Sequence, residues 1–176
     1  MRILKWFIVL VIVLALVIGV GGMLLPREVT IARTIDVNTP ADQVFPHLNA
    51  MQAIAAWSPW LDRDPNVQLT YSGPDVGVGN KLQWASDHPQ VGNGTQEITA
   101  SEPGKHVTTA LDFGEMGVAK AQFILNESSG VTTVIWTLDT DMGAGPIGRW
   151  MGLMMDRWVD GDHETGLQNL KTLVEG

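Results

Sequence analysis

The sequence contains no cysteine, and this absence excludes several kinds of chemistry. Without a thiol, the chain can form no disulfide, no thiolate nucleophile and no zinc site built on thiolates. The lack of cysteine is compatible with an oxidising compartment and does not require one.

Recognisable catalytic motifs are also missing. The sequence has no nucleophile elbow, no phosphate-binding glycine loop and no pair of histidines four apart in a helical pattern. His47, His88 and His106 are candidate general bases, because imidazole titrates near neutral pH. For His88, the most interesting of the three, we favour a solvated loop histidine over a catalytic one. The sequence identifies no catalytic residue, and we predict no metal and no cofactor.

One long apolar run is present at the start of the chain. Trp6 to Leu25 carries no charge and, as a helix, would span about 30 Å, the thickness of a hydrocarbon core. A cleavable signal peptide is the alternative, but its apolar region is about 7 to 15 residues long. We predict a retained membrane anchor over residues 1–26 and one domain over residues 27–176.

The positions of the basic residues suggest an orientation for this anchor. Arg2 and Lys5 precede the run, and on its far side Glu28 follows Arg27 directly. The positive-inside rule therefore predicts a cytoplasmic N-terminus in the cytoplasmic membrane and an extracytoplasmic domain.

Basic residues are scarce beyond the anchor. Of 11 Lys and Arg in the chain, nine remain after Arg2 and Lys5, against 19 Asp and Glu, so the domain has a formal charge of −10. An acidic surface repels phosphate backbones and anionic headgroups. We expect no nucleic-acid partner and no further peripheral membrane patch.

Apolar residues alternate with polar ones in a strand-like period along much of the domain. Val29 to Val37 show this pattern, interrupted only by Arg33. For Arg33 we favour a snorkelling or cross-strand-paired arginine over a charge in a cavity. Short turn signals between the segments predict antiparallel pairing of neighbours. The further predicted strands are residues 67–71, 81–85, 94–100, 107–113, 118–125 and 131–138.

Two helical regions flank these strands. Thr39 and Pro40 predict the N-cap and first residue of a short helical pair that is broken near Pro46. From Pro146 onward, large apolar residues recur at helical spacing and predict a long helix. Its predicted apolar stripe consists of Ile147, Trp150, Met151, Met154 and Trp158.

The opposite face of this long helix carries the best metal candidate in the sequence. Asp160, His163 and Glu164 share one helical face. We favour a solvated face over a metal site, because these residues lie opposite the apolar stripe.

Several segments resemble those of a known superfamily. They are Val29 to Phe45, the cluster Trp57 to Trp60, Gly77 to Gly79 before a strand with Trp84, and Gly166 to Lys171. Together they resemble the START-like SRPBCC superfamily, in particular its branch named after polyketide cyclases and dehydrases. The resemblance implies a helix-grip fold of class α+β, in which a seven-stranded antiparallel sheet wraps a C-terminal helix around an apolar cavity.

The parity of the strands and the helical stripe together predict the lining of such a cavity. Methionine side chains adapt to the shape of a bound molecule, which favours a binding cavity. The alternative is a core helix without a cavity, which would show the same residues. The ligand-binding residues predicted in this way are Phe113, Phe123, Trp136, Leu138, Trp150, Met151, Met154 and Trp158. The resemblance to the family adds Trp57 and Trp60, in the loop after the helical pair that would form the mouth of the cavity, and Trp84.

Three functions are compatible with these features. The first is membrane-anchored binding of a hydrophobic small molecule or lipid. The second is a cyclase, dehydrase or hydrolase acting on an apolar substrate in the same cavity. The third is a protein-interaction module whose cavity is vestigial. A convergent set of polar groups in the cavity would favour the enzyme, because a binder needs only one or two polar contacts.

Overall fold

A computed structural model describes residues 2–114 and 117–176, apart from the side chains of Asp156 and Trp158. The chain begins with a helix over Arg2–Leu24, which contains a π-helical turn at Val17–Gly21. No residue of Arg2–Leu16 is buried. The helix is long and apolar enough to cross a membrane, a property that signal sequences share.

The predicted seven-stranded antiparallel sheet is confirmed among the described residues. Its order is β1-β7-β6-β5-β4-β3-β2, so β1 and β2 form the two edges. Every neighbouring pair is antiparallel, and only the β4–β5 pair contains a register shift, next to Ile98. The strands are β1 (Glu28–Val37), β2 (Gln68–Ser72), β3 (Lys81–Ala85), β4 (Gly94–Glu102), β5 (His106–Asp112), β6 (Val118–Ser128) and β7 (Val131–Asp141).

Short helices cross from one edge of the sheet to the other. They comprise Ala41–Val44, a 3-10 turn at Phe45–His47, Met51–Ala55 and a second 3-10 turn at Leu61–Arg63.

The predicted N-cap of this region is wrong. Pro40 occupies the cap position, and the Thr39 hydroxyl instead donates to the carbonyl of Val174, 3.1 Å away. The free amide of Ala41 donates to the carboxylate of Glu127, at 2.8 Å. A distant carboxylate thus replaces the expected local cap.

The long C-terminal helix covers Pro146–Glu175. It faces the sheet through a set of residues rotated from the predicted stripe, and Ile147 is 65% exposed. Gly148 and Gly152 permit this rotation, because without side chains they can approach the end of β7 and β1 closely. A Cβ at Gly148 would overlap the Met142 carbonyl oxygen, and one at Gly152 would lie 3.0 Å from the Val29 side chain. The residues turned toward the sheet are Gly152, Met155, Val159, His163, Gly166, Leu167 and Leu170.

The second part of this helix closes a packed core. Residues 166–174, which we call the core segment, include the fully buried Leu170 and the nearly buried Leu167. They pack with apolar side chains of β1, β6 and the short helices, including Val37, Val44 and Leu125. Residues 151–163, which we call the cavity segment, lie over a space instead.

Candidate ligand-binding cavity

A cavity of about 560 Å³ lies between the sheet and the cavity segment. Its volume is within the range of about 300 to 1,000 Å³ that small-molecule sites occupy. Most of its lining is apolar. The apolar lining consists of Ile54, Ala55, Pro59, Trp60, Leu61, Leu82, Trp84, Leu111, Phe113, Gly117, Val118, Ala119, Ala121, Phe123, Trp136, Leu138, Met142, Met151, Met155 and Val159.

Aromatic rings hold the wall of the cavity in place. Phe113 makes edge contacts with Trp60 and Trp84, with ring centroids 5.8 and 5.7 Å apart. Phe123 lies 5.3 Å from Trp136. Such offset and edge-to-face pairs are favourable beyond the area that they bury. The wall is therefore a rigid aromatic surface on the sheet side.

Small residues leave the space that these rings surround. Ala119 and Ala121 follow each other on the inward face of β6 and both line the cavity. Gly94 has a related role, because a Cβ there would lie 2.3 Å from the Trp84 ring. Parity counted back from Phe123 could have identified both alanines, whereas no sequence signal linked Gly94 to Trp84.

The structure brings seven of the eleven predicted ligand-binding residues to the cavity. They are Trp60, Trp84, Phe113, Phe123, Trp136, Leu138 and Met151. Trp57 is buried directly behind the wall, where its ring contacts those of Phe123 and Trp136 and its indole N–H donates to the His47 carbonyl. Trp150 and Met154 point outward from the helix. The side chain of Trp158 lies outside the described residues.

His163 is the main finding that sequence reasoning missed. The sequence placed it on a solvated face, but the side chain is 2% exposed and lines the cavity. Its ring lies 4.0 Å from that of Trp136. The helix is rotated from the predicted stripe, and this rotation turns His163 inward.

Burial also fixes the chemical form of His163. Loss of hydration lowers the pKa of the imidazole below its usual value, so the ring is neutral near pH 7. Nδ1 lies 3.2 Å from the Val159 carbonyl oxygen, which can only accept, so Nδ1 carries the proton. Nε2 is then a bare acceptor, and it has no hydrogen-bond partner among the described residues.

The other polar groups of the cavity lining are few. They are the side chains of Ser58, Gln96, Thr140 and Asp162, and the buried indole N–H groups of Trp60 and Trp136, which have no hydrogen-bond partner among the described residues. Asp162 accepts two hydrogen bonds from Arg63, at 2.5 and 2.7 Å, and the Arg63 guanidinium lies 4.7 Å from the ring centroid of Trp60. The Gln96 amide donates to Thr109 at 2.9 Å. The Thr140 hydroxyl donates to the Val118 carbonyl at 3.2 Å. Three of the four polar side chains, those of Asp162, Gln96 and Thr140, are therefore already engaged within the protein.

The predicted metal candidates do not converge. Asp160 pairs with Arg33 across the edge of the sheet, with Nε donating to Oδ1 at 2.6 Å, and Glu164 is exposed while His163 is buried. Arg33 is therefore a paired arginine, but Asp160 lies on the C-terminal helix and not on a neighbouring strand, as the predicted cross-strand pair would require. Within residues 2–114 and 117–176, no group of three or more acidic or histidine side chains is arranged to hold a metal ion.

Solved structures with this fold are numerous. Norcoclaurine synthase from Thalictrum flavum, in complex with dopamine and hydroxybenzaldehyde, has a TM-score of 0.63 at 11% identity, over 89% of this chain and 91% of its own. A protein from Arthrobacter aurescens gives 0.60 at 13% identity, over 83% and 86%. The Aha1 dimer from Colwellia psychrerythraea gives 0.55 at 18% identity, over 84% and 96%. At these identities the likeness shows the fold alone.

A family model matches residues 28–175, and its description is polyketide cyclase / dehydrase and lipid transport. No curated protein matches the sequence. The match covers the whole sheet and the C-terminal helix, as the sequence resemblance implied. The chain belongs to the polyketide cyclase / dehydrase and lipid transport family.

Proposed function

We propose that this protein binds a hydrophobic small molecule or lipid in the cavity while its N-terminal helix holds it at a membrane. The observation that carries this proposal is the open apolar cavity of about 560 Å³ beneath the cavity segment. A vestigial cavity would be filled by bulky side chains, whereas Ala119 and Ala121 leave this one open. The family's description, which includes lipid transport, supports the same proposal.

The polar groups support binding rather than turnover. Asp162 is paired with Arg63, and Gln96 is bonded to Thr109. Three residues of the described lining have a buried polar atom without a hydrogen-bond partner: His163, whose Nε2 accepts, and Trp60 and Trp136, whose indole N–H groups donate. One acceptor and two donors are few for a lining of this size, and a small number of polar groups is what an apolar binding site uses to orient its ligand.

Contacts at the end of the N-terminal helix support its retention as an anchor. The Trp150 indole N–H donates to the Ile18 carbonyl at 3.1 Å, and Arg149 donates to the carbonyls of Met23 and Leu25. A cleaved signal sequence would take these partners away from the folded domain. We therefore propose an anchor over residues 1–26, a ligand-binding domain over residues 27–176, and the orientation given by the positive-inside rule.

Native mass spectrometry of the full-length protein, extracted gently from its own host, tests the binding proposal. We expect a stoichiometric apolar adduct, whose class a second mass analysis of the released organic fraction identifies. In Ala119→Phe the added ring fills the cavity, so the affinity for the ligand should fall at least tenfold, the equivalent of about 1.4 kcal/mol, and the fraction of protein carrying the adduct should fall with it.

Ala110→Phe is the matched control for this experiment. Ala110 lies on β5, is exposed, and pairs with Lys120, the residue that follows Ala119 on β6. The Ala110→Phe variant therefore adds the same ring on the opposite face of the sheet, away from the cavity, and should keep the adduct. An unmodified protein mass in repeated preparations, or equal loss of the adduct in both variants, would refute the proposal.

A second candidate function rests on His163. A neutral imidazole in an apolar cavity can act as a general base, because its Nε2 is free to accept a proton. The enzyme hypothesis predicts that the organic molecule released from His163→Gln differs chemically from that released from the unaltered protein. Identical molecules from both proteins would favour the binder.

A further inference from the structure

The outward face of the C-terminal helix changes in character along its length. Its first turns expose large apolar side chains, which we call the apolar face: Ile147, Trp150, Leu153 and Met154. Further along, the same side of the helix carries Arg157, Gly161, Glu164 and Gln168, all exposed. Exposed apolar side chains that cluster at one end of a helix mark a contact surface rather than ordinary solvent exposure.

The N-terminal helix packs directly against this end. A Cβ on Gly22 would lie 2.6 Å from the Cβ of Pro146, so the two backbones approach closely there. Trp150 donates to Ile18, and a Cβ on Gly21 would lie 3.2 Å from the Trp150 ring. The apolar face is therefore held beside the last turns of the N-terminal helix.

These contacts place Trp150 at a definite depth. Ile18 precedes the end of the N-terminal helix at Leu24 by six residues, which corresponds to about 9 Å along its axis. If the apolar run of that helix spans the hydrocarbon core, Ile18 lies about 9 Å inside the core, so Trp150 lies in its outer part, next to the headgroup region. Tryptophan is enriched at the interface that borders this depth.

The cavity reaches the same end of the molecule. Met151 lines it and is 46% exposed, and Val118, at the start of β6, also lines it and is exposed. Met142 follows the end of β7 and completes this rim. The partly exposed rim shows that the cavity borders the surface beside the apolar face.

We propose that the apolar face rests in the interface of the lipid bilayer, so that the cavity opens toward the membrane and takes its ligand from it. This inference rests on the proposed anchor. The net charge of the domain had indicated no peripheral membrane patch, but charge governs attraction to anionic headgroups, whereas this contact is apolar. An apolar helix face of this kind sits about 5 to 10 Å into the headgroup and acyl boundary.

Single-cysteine labelling of the full chain tests this proposal, because the sequence has no native cysteine. Leu153→Cys and Leu173→Cys each carry an environment-sensitive fluorophore, in vesicles of palmitoyl-oleoyl-phosphatidylcholine containing nitroxide-labelled phosphatidylcholine. Leu173 is the matched control, since it is an exposed leucine of the same helix about 30 Å further along. Met154→Cys replaces Leu153→Cys if the latter does not fold.

We expect the nitroxide lipid to quench the label at position 153 about twofold or more and to leave the label at position 173 almost unchanged. Equal quenching at both positions would overturn the proposal. A blue-shifted but unquenched label at position 153 would also overturn it, because protein rather than lipid would then cover the face. Quenching at position 153 in a protein that yields no adduct would refute the proposed ligand binding and leave the membrane contact standing. An adduct without quenching at position 153 would support the proposed ligand binding and refute the membrane contact.

Discussion

The two parts of the C-terminal helix both turn apolar side chains toward the sheet, but one part packs against a core and the other borders a cavity. In the core segment, Leu167 and Leu170 are buried in a close-packed core. In the cavity segment, Met151 and Met155 border an open space of about 560 Å³. An apolar, sheet-facing helix therefore need not complete a core, because the residues opposite it decide whether space remains.

Truncation of one side chain in each segment gives the largest expected difference. Leu170→Ala should lower the free energy of unfolding by about 2 to 5 kcal/mol, because it creates a new cavity in packed surroundings. Met155→Ala should cost about 1 kcal/mol or less, because its side chain borders space that is already open. Urea unfolding of the full-length protein in mild detergent, followed by tryptophan fluorescence, measures both. Equal costs would show that the two segments are packed alike.

The same substitution at two glycines of this helix should have opposite signs. In Gly166→Ala the new Cβ would lie 2.9 Å from the Trp136 ring and 3.2 Å from Pro59, so we expect destabilisation of about 1 to 3 kcal/mol. In Gly161→Ala the Cβ meets nothing within 4 Å, so we expect stabilisation of about 0.8 kcal/mol from helix propensity. The same urea experiment measures both, and stabilisation by Gly166→Ala would show that Trp136 is not held tightly.

A smaller effect should appear in the pH dependence of stability. Burial lowers the pKa of His163 in the folded protein, whereas the unfolded chain binds a proton below about pH 6.5. The contribution of His163 to the free energy of unfolding is therefore fully present above about pH 6.5. It is lost as the pH falls toward the lower pKa that His163 has in the folded protein, by at most about 1.4 kcal/mol per pH unit.

His163→Gln should remove this contribution, so that its stability changes less than that of the unaltered protein between pH 7 and pH 5. His106→Gln is the control, because His106 is partly exposed on β5 and the variant leaves His163 in place. Unfolding curves at several pH values provide the measurement. An unchanged slope in His163→Gln would mean that the imidazole is not held neutral by burial.

The sheet was predictable because its signals are local. Alternating parity and turn residues specify strands and antiparallel neighbours without any knowledge of distant contacts, and β3, with Trp84, lies at its predicted boundaries. The aromatic part of the cavity was predictable for the same reason, since parity places Phe123 and Trp136 on the inward face.

The rotation of the C-terminal helix was not predictable from its own residues. Hydrophobic periodicity finds the most apolar face, but Gly148 and Gly152 allow a different face to approach Met142 and Val29. That choice depends on contacts between residues far apart in the chain. It turned His163 into the cavity and Trp150 away from it.

Amide hydrogen exchange tests whether the cavity segment covers a bound ligand while the core segment closes the core. Exchange along the C-terminal helix is measured on the full-length protein as purified and again after bound lipid has been removed. Exchange reports local opening, which is easiest where few apolar contacts are made. We predict that delipidation speeds exchange in the cavity segment, residues 151–163, and leaves the core segment, residues 166–174, unchanged. Equal change in both segments, or no change in either, would contradict the claim that one part of this helix covers a ligand while the other closes the core.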